Sequence, residues 1–458
     1  MHDVIVIGGG SGGYAAAIRA SQLGGKVALV ECAEMGGTCV NRGCIPSKIW
    51  LRAAVLLHMT RCGKDFGIKA AIEPVDFQTI VERKNGVSGD IRTGMEALLQ
   101  NNGVEVIRGR AFVKGAREID VEGRVHEAKR IIIATGSSID FPPVQGLKEA
   151  AVTTDRVFEM TQIPDSILIP DSGYIAVEMA FLLNAFGSKV VLASESARIL
   201  PREDRDTSQR VAQSLREKGI EILPRHTLKS VSRSESGAGW SCLLSGAKER
   251  TVEVSNVLVA TRKPALADMG IEQAGIVLNE DGGIQVNNRL ETSVQGVYAI
   301  GDATGGWMLS HAASSMAITA AENCMGKTGV YSFHLIPRGL WILPEVGAVG
   351  ISEEEAEKKG LDIEVGSFPY AVNGLAMACG QVEGAVKIIS DAHHGEILGV
   401  HIVGAGATDL VGEAVLAMQL EATVNELARS IRLHPTYSET VVDAVRDAAN
   451  WALYLPKR

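Results

Sequence analysis

Residues 3–31 read DVIVIGGGSGGYAAAIRASQLGGKVALVE, and the order of residue types in them decides the fold. A β-branched run ending at Ile7 meets a glycine cluster, an alanine-rich helical stretch follows, and beyond Gly24-Gly25 a second apolar run ends on Glu31. This is a βαβ unit with Gly8-x-Gly10-x-x-Gly13 at its first turn. Gly8 permits the tight turn, Gly10 lets a pyrophosphate approach the backbone, and Gly13 lets helix and strand pack closely. The helix opening at Ser11 aims free N–H groups and its positive dipole end at phosphate. Glu31, at the end of the second strand, is placed to hold a ribose hydroxyl. The glycine pattern alone would equally fit a plain glycine-rich turn; strand, helix, strand and terminal acid in register make it a dinucleotide site.

The chain repeats the unit. Shifted by 163 residues, DSILIPDSGYIAVEMAFLLNAFGSKVVLAS (165–194) falls on the first copy, with Gly187 on Gly24, Lys189 on Lys26 and Val190 on Val27. The loop is rewritten: Gly8 becomes Asp171, Gly9 becomes Ser172, Gly10 stays as Gly173, Gly13 becomes Ala176 and Glu31 becomes Ser194. Alanine in the third place is tolerated. Aspartate in the first brings a Cβ to a turn that favours positive φ and a carboxylate close to an incoming pyrophosphate. Glu195 comes one residue late for the ribose position and points elsewhere on an extended strand. The strand end Ile131-Ile-Ile-Ala-Thr-Gly-Ser137 also has a counterpart, Val257-Leu-Val-Ala-Thr-Arg-Lys-Pro264, which lacks the glycine before Arg262. The expectation is a second nucleotide site whose NAD(H) binding is weakened or lost.

At 458 residues the chain exceeds one ordinary core, and two to four domains are expected. Fifty glycines, 5% aromatic and 22% charged residues describe a glycine-turned α/β protein. The net charge of −9 argues against a nucleic-acid partner. No apolar run approaches the roughly 18 residues of a membrane span, and the chain starts directly in a strand, so a cytoplasmic protein without a membrane partner is expected. Seven scattered cysteines do not form a secreted disulfide framework, and the nine histidines other than His434 show no metal-ligand spacing and read as solvent groups, so no metal is expected.

Cys39 and Cys44 stand apart, four residues between them in Gly36-Gly-Thr-Cys-Val-Asn-Arg-Gly-Cys-Ile-Pro-Ser-Lys48. A continuous helix would not aim both sulfurs at one point, but the flanking glycines and Pro46 allow a distorted helix start that can close a disulfide. The pair reads as a redox disulfide or as half a metal site, and with no second Cys/His cluster the redox reading leads. Cys32, Cys62, Cys242, Cys324 and Cys379 read as inert thiols.

Taken with Ala134-Thr-Gly-Ser137, Tyr298-Ala-Ile-Gly-Asp-Ala303 and Leu433-His-Pro-Thr-Tyr-Ser-Glu439, this segment resembles the flavin-dependent pyridine nucleotide-disulfide oxidoreductases, most of all the dihydrolipoamide dehydrogenase branch. The resemblance runs through the whole chain. It implies two Rossmann-like dinucleotide-binding domains, one inserted in the other, and a C-terminal α+β dimerisation domain. The divisions expected are 1–140 for FAD, 141–265 for the altered Rossmann unit, 266–334 completing the FAD site and 335–458 for the dimer interface.

The resemblance also implies roles. Cys39 would attack the substrate disulfide and Cys44 would stack on the flavin as its charge-transfer partner. His434 would act as base for the thiols with Glu439 orienting it, lent by a second subunit, so that activity needs a homodimer. Lys48 and Glu178 resemble the ion pair beside flavin N5. FAD would lie against Gly8, Gly10, Ser11, Gly13 and Glu31, then against Thr38 and Lys48, then against Ala134, Thr135 and Gly136. Gly301, Asp302 and Leu309 would complete the contacts, Asp302 on the ribityl chain. Tyr174 resembles the tyrosine that covers the nicotinamide pocket in glutathione reductase-like relatives, with plain packing the equal alternative. The absence of a C-terminal cysteine pair sets mercuric reductases aside, and Glu195 in the place of an NADPH-binding arginine sets glutathione reductases aside.

The function expected is transfer of two electrons between a lipoyl-type dithiol, free or protein-bound, the Cys39/Cys44 pair and FAD, with another redox protein as a possible acceptor. The alternatives are an ordinary NAD-dependent dihydrolipoamide dehydrogenase and a non-catalytic flavoprotein subunit of a larger assembly.

Overall fold

The structure, a computed structural model, describes residues 1–456 except 236 and 238. The strand His2–Ile7 runs parallel to Val27–Glu31 on one side and to Arg124–Ile133 on the other, with Val4 opposite Val27 and Ile5 opposite Ile131. Their unbroken apolar runs suit strands covered on both faces. The helix Ser11–Gln22 buries Ala16, Ala17 and Ala20, and the helix Ser310–Cys324 meets it with Ala312, Ala313, Ala317 and Ala320. Small side chains allow this approach: a Cβ on Gly12 would lie 3.2 Å from the Ala313 carbonyl oxygen.

The insertion is visible in the sheet. The chain leaves it after Ile133, builds the second unit, and returns as Val297–Ala299, which adds in parallel to Arg124–Ile133 with Val297 opposite Ile131. The second unit has its own five-stranded parallel sheet, ordered Glu221–Pro224, Lys189–Ser194, Ser166–Ile169, Asn256–Val259, Ala151–Thr153. The repeat is geometric as well as textual. Ile167 lies opposite Val190 and Ile169 opposite Leu192, the pairs that a shift of 163 residues makes from Val4/Val27 and Val6/Leu29.

The second-unit helix, Tyr174–Ala185, is apolar almost all round and is buried accordingly. Val177, Phe181 and Leu182 share a core with Trp50 and Leu51 of the helix Cys44–Cys62. That packing sets the second unit against the cysteine segment. The last sheet is antiparallel, in the order Arg338–Leu340, Val346–Gly350, Ile397–Val403, Ala385–Asp391, Ile363–Pro369. The helices Ala407–Gln419 and Ser438–Ala448 pack on it. The fold class is therefore as expected: two Rossmann units, one inserted in the other, and a separate α+β region.

One expectation fails. The histidines outside the His434 motif were assigned to solvent, yet His2 and His401 are buried. His401 sits between sheet and second unit, its Nε2 2.9 Å from the Ile351 carbonyl oxygen, and no sequence spacing marks it.

Gly366 tests the packing of the last region, because a Cβ there would lie 2.2 Å from the Ala448 backbone nitrogen. Gly366→Ala is expected to cost about 1–3 kcal/mol by overpacking. Urea unfolding followed by circular dichroism would show the midpoint fall; an unchanged midpoint would mean that the helix does not press on this strand.

Candidate active site

The first turn is a backbone cradle. Gly8 has φ +104°, and a Cβ there would lie 2.4 Å from the Ala134 carbonyl oxygen; on Gly13 it would lie 1.8 Å from that of Gly8. Over Gly10 nothing comes within 4 Å, and no side chain caps the helix that follows. Glu31 accepts from Gly9 N and Ala33 N at 2.6 Å each, which fixes the acid under the loop. Thr135 Oγ1, next to Gly136 with φ +72°, is buried and has no hydrogen-bond partner among the described residues. An open glycine loop at a helix start, an anchored acid and an orphaned hydroxyl fit the pyrophosphate and ribose of a dinucleotide.

Gly301, with φ +65°, turns the returning chain so that Asp302 lies within hydrogen-bond reach of Ser137 Oγ, 2.6 Å away. Burial pushes the Asp302 carboxyl up, while Ser137 and the Arg262 charge oppose the shift. Arg262 was not assigned a role from sequence. Its side chain bridges the two units, reaching Ser137 O at 3.0 Å and Thr38 Oγ1 at 3.3 Å in the first and Asp155 Oδ1 at 2.8 Å in the second. Leu309 caps the helix Ser310–Cys324 and helps line a cavity of about 410 Å³ with Gly301, Trp307 and Ala312.

The cysteines lie where the helix is broken. Cys39 belongs to the short helix Gly37–Asn41, Gly43 leaves helical geometry at φ −133° and ψ −108°, and Cys44 opens the helix Cys44–Cys62. The break brings the two free thiols into hydrogen-bond contact. Ser310 joins them, its Oγ 3.4 Å from Cys44 Sγ. Cys39 is drawn from an ordinary 9.0 down to about 6, chiefly because the Cys44 S–H donates to its sulfur; burial opposes this, and the Ser310 and Ser11 hydroxyls and the Lys48 charge assist it. Cys44 is pushed up by the same hydrogen bond and by burial. The pair thus holds one ionised sulfur at neutral pH, beside the starts of two helices whose dipoles favour it. Ser310 carried no sequence signal beyond its place at a helix start.

Lys48, one helical turn beyond Cys44, pairs with Glu178 Oε1 at 2.6 Å, and its Nζ lies 3.9 Å from the centre of the Trp341 ring. Tyr174, one turn before Glu178, donates its hydroxyl to Glu203 and meets the Trp307 ring edge-on at 6.1 Å. Glu203 is fully buried and pairs with Arg338 at 2.6 Å, a contact no spacing foretold. His434 Nδ1 lies 2.9 Å from Glu439 Oε1. Burial works against ionisation of Glu439, but the Thr436 N–H and His434 outweigh it and hold its carboxyl below the usual value. His434 itself is 78% exposed, and among the described residues it has no hydrogen bond to Cys39 or Cys44.

Comparison with known proteins agrees with this arrangement. Residues 2–317 match the pyridine nucleotide-disulphide oxidoreductase family, and residues 336–445 match that family's dimerisation domain. This chain belongs to that family. Among relatives, a dihydrolipoyl dehydrogenase of Thermus scotoductus is 38% identical over 100% of this chain and 99% of its own length. One from Corynebacterium glutamicum is 35% identical over 97% of each. The HOCl-induced flavoprotein disulfide reductase RclA from Escherichia coli superposes with a TM-score of 0.84 at 28% identity, covering 96% of this chain and 99% of RclA. LpdA from Mycobacterium tuberculosis gives 0.88 at 27% identity, covering 97% and 99%. The family makes the chain a FAD-dependent disulfide oxidoreductase, and its dimerisation domain makes it an oligomeric enzyme. No helix among the described residues is long and apolar enough to cross a membrane.

The thiol geometry has a pH signature. In the reduced protein, alkylation of Cys39 by iodoacetamide, followed by peptide mass, should be fast above about pH 6 and fall as the thiolate is protonated below it. A midpoint near the ordinary 9.0 would show that Cys44 and the two serines do not stabilise this thiolate.

Proposed function

We propose that this protein oxidises a lipoyl-type dithiol, free or protein-bound, through Cys39 and Cys44, and that pyridine nucleotide binds weakly at its second Rossmann unit. The observation that carries the reading is the broken helix that joins two thiols, one of them stabilised as thiolate. With the pair oxidised, a substrate thiolate attacks Cys39 Sγ, the Cys39–Cys44 bond breaks, and Cys44 leaves as thiolate. The second substrate sulfur then attacks the substrate side of the mixed disulfide and releases Cys39. The substrate leaves as a cyclic disulfide, two electrons poorer, and the pair is reduced.

Each substrate thiol loses a proton on attack. His434, presented by a second copy and held by Glu439, accepts the first, and the second passes to the released Cys39 sulfur or to water. Lys48, paired with Glu178, keeps a positive charge one turn from Cys44. FAD, held by Gly8, Gly10, Ser11, Gly13, Glu31, Thr38 and the strand end 134–136, with Gly301, Asp302 and Leu309 completing its site, supplies the two-electron acceptor for the reduced pair. The same reading divides the chain at 1–140, 141–265, 266–334 and 335–458.

A second reading has support of its own. The relatives named above carry the name dihydrolipoyl dehydrogenase, which favours ordinary NAD-dependent turnover over a weakened nucleotide site. Anaerobic titration of the flavoprotein with dihydrolipoamide and, separately, with NADH separates the two. The first reading expects the long-wavelength band with the dithiol only, and the second with both reagents. His434→Gln is expected to lower dihydrolipoamide oxidation by about 10²–10⁴-fold with the dimer intact by sedimentation. Undiminished turnover would remove His434 from the reaction.

A further inference from the structure

The two Rossmann units enter their helices with the same N-cap geometry, although Asp171 does not take the positive φ of Gly8, so the strain expected there is absent, and they fill the space above the N-cap differently. The N-cap residues Gly10 and Gly173 have φ/ψ of −72°/−174° and −75°/−175°. Among the described residues, chain neighbours apart, nothing lies within 4 Å of where a Cβ on Gly10 would stand, whereas over Gly173 the two carboxylate oxygens of Asp171 lie at 3.7 and 3.9 Å. Asp171 Oδ1 accepts from Ser172 N at 2.6 Å and Gly173 N at 3.1 Å.

In the first unit the amide equivalent to Ser172 N is taken by Glu31, reaching up from the strand end. Here that strand end carries Ser194, too short to reach the amide; its hydroxyl donates instead to Ser172 Oγ at 2.8 Å. The acid has moved from under the loop, where it would hold a ribose, onto the loop, where a pyrophosphate would lie. The loop around Ser194 is tied down elsewhere as well: Arg198 pairs with Glu354 of the last region at 2.6 Å.

We infer that Asp171 is the residue that sets nucleotide specificity at this site, an internal anion that holds the Gly173 amide and stands over the loop where a dinucleotide pyrophosphate would lie. A pyrophosphate must displace a carboxylate from that N–H group and then lie beside its charge. The inference rests on the reading that pyridine nucleotide binds weakly. It adds that one side chain, and not general decay of the loop, is responsible, so ligands without a pyrophosphate escape the penalty.

Calorimetric titration of the oxidised holoenzyme with NAD⁺, ADP-ribose and adenosine tests this, using wild type, Asp171→Gly and Asp171→Asn. Asp171→Gly is expected to bind NAD⁺ and ADP-ribose about tenfold tighter or more, with adenosine unchanged. Asp171→Asn keeps an acceptor on the amides without the charge, so it should gain about threefold, and it carries the test if the glycine variant loses its flavin. Weak NAD⁺ binding by wild type with no gain in the variants would overturn the role of Asp171 and leave the reading of a weak site standing. Tight NAD⁺ binding by wild type would overturn both. An equal gain for adenosine would also overturn the inference, since the penalty would then not lie at the pyrophosphate.

Discussion

The ion pair between Lys48 and Glu178 is the contact on which the arrangement of the site depends. Lys48 stands on the helix that Cys44 opens, Glu178 on the helix of the inserted unit, and Trp341, whose ring lies by the lysine, directly follows the first strand of the last sheet. Three regions made separately by the chain are thus tied at one half-buried charge pair. Such a pair contributes little net stability once desolvation is counted, but loss of one partner leaves a charge stranded, so it specifies position more than it adds stability. The apolar core that Trp50 shares with Phe181 and Leu182 provides the stability beneath it.

Repetition of a fold unit does not repeat its use. The first unit gives the Gly9 N–H to Glu31 from below and leaves the space over Gly10 open. The second keeps the strand register and the helix start but satisfies its loop from within. The substitutions at 171 and 194 belong together in this light: removing the acid from the strand end leaves a loop amide unsatisfied, and an aspartate on the loop restores its partner. On the reading proposed above, the same exchange would also set a charge against an incoming anion. Tyr174 and Trp307, edge to face beside the buried Glu203–Arg338 pair, pack the neighbouring space.

Much of this could be read from residue order because it depends on local spacing. The 163-residue shift gave the strand registers directly, since pairing in a parallel unit follows from the apolar run and the crossover length. Gly43 and Pro46 marked the helix break that brings Cys39 to Cys44, whereas the His434–Glu439 hydrogen bond was implied by the family resemblance rather than by spacing. What escaped involves partners far apart in the chain. Arg262 finds Thr38 across 224 positions, and Arg338 finds Glu203 across 135. Nothing in the local pattern of an arginine says which buried acceptor it will meet. His401 was misjudged for the same reason: its burial comes from a strand in the middle of a sheet, pressed against another region.

The exposed histidine links assembly to chemistry. His434 stands in water in the single chain, with Ile431 at 96% and Leu433 at 79% exposure beside it. Full burial of such a side chain is worth about 1.5–3 kcal/mol, so the segment carrying the base is also one whose exposure opposes the isolated chain. A dimerisation domain spans these residues. The apolar surface that drives association and the histidine proposed to serve the thiols therefore move as one piece. Cys39, already stabilised as a thiolate by groups of its own chain, does not need the second copy to ionise. On the proposed reading, what the second copy would add is the proton acceptor for an incoming dithiol, so that the single chain would hold the nucleophile and the assembled enzyme would complete the acid–base pair.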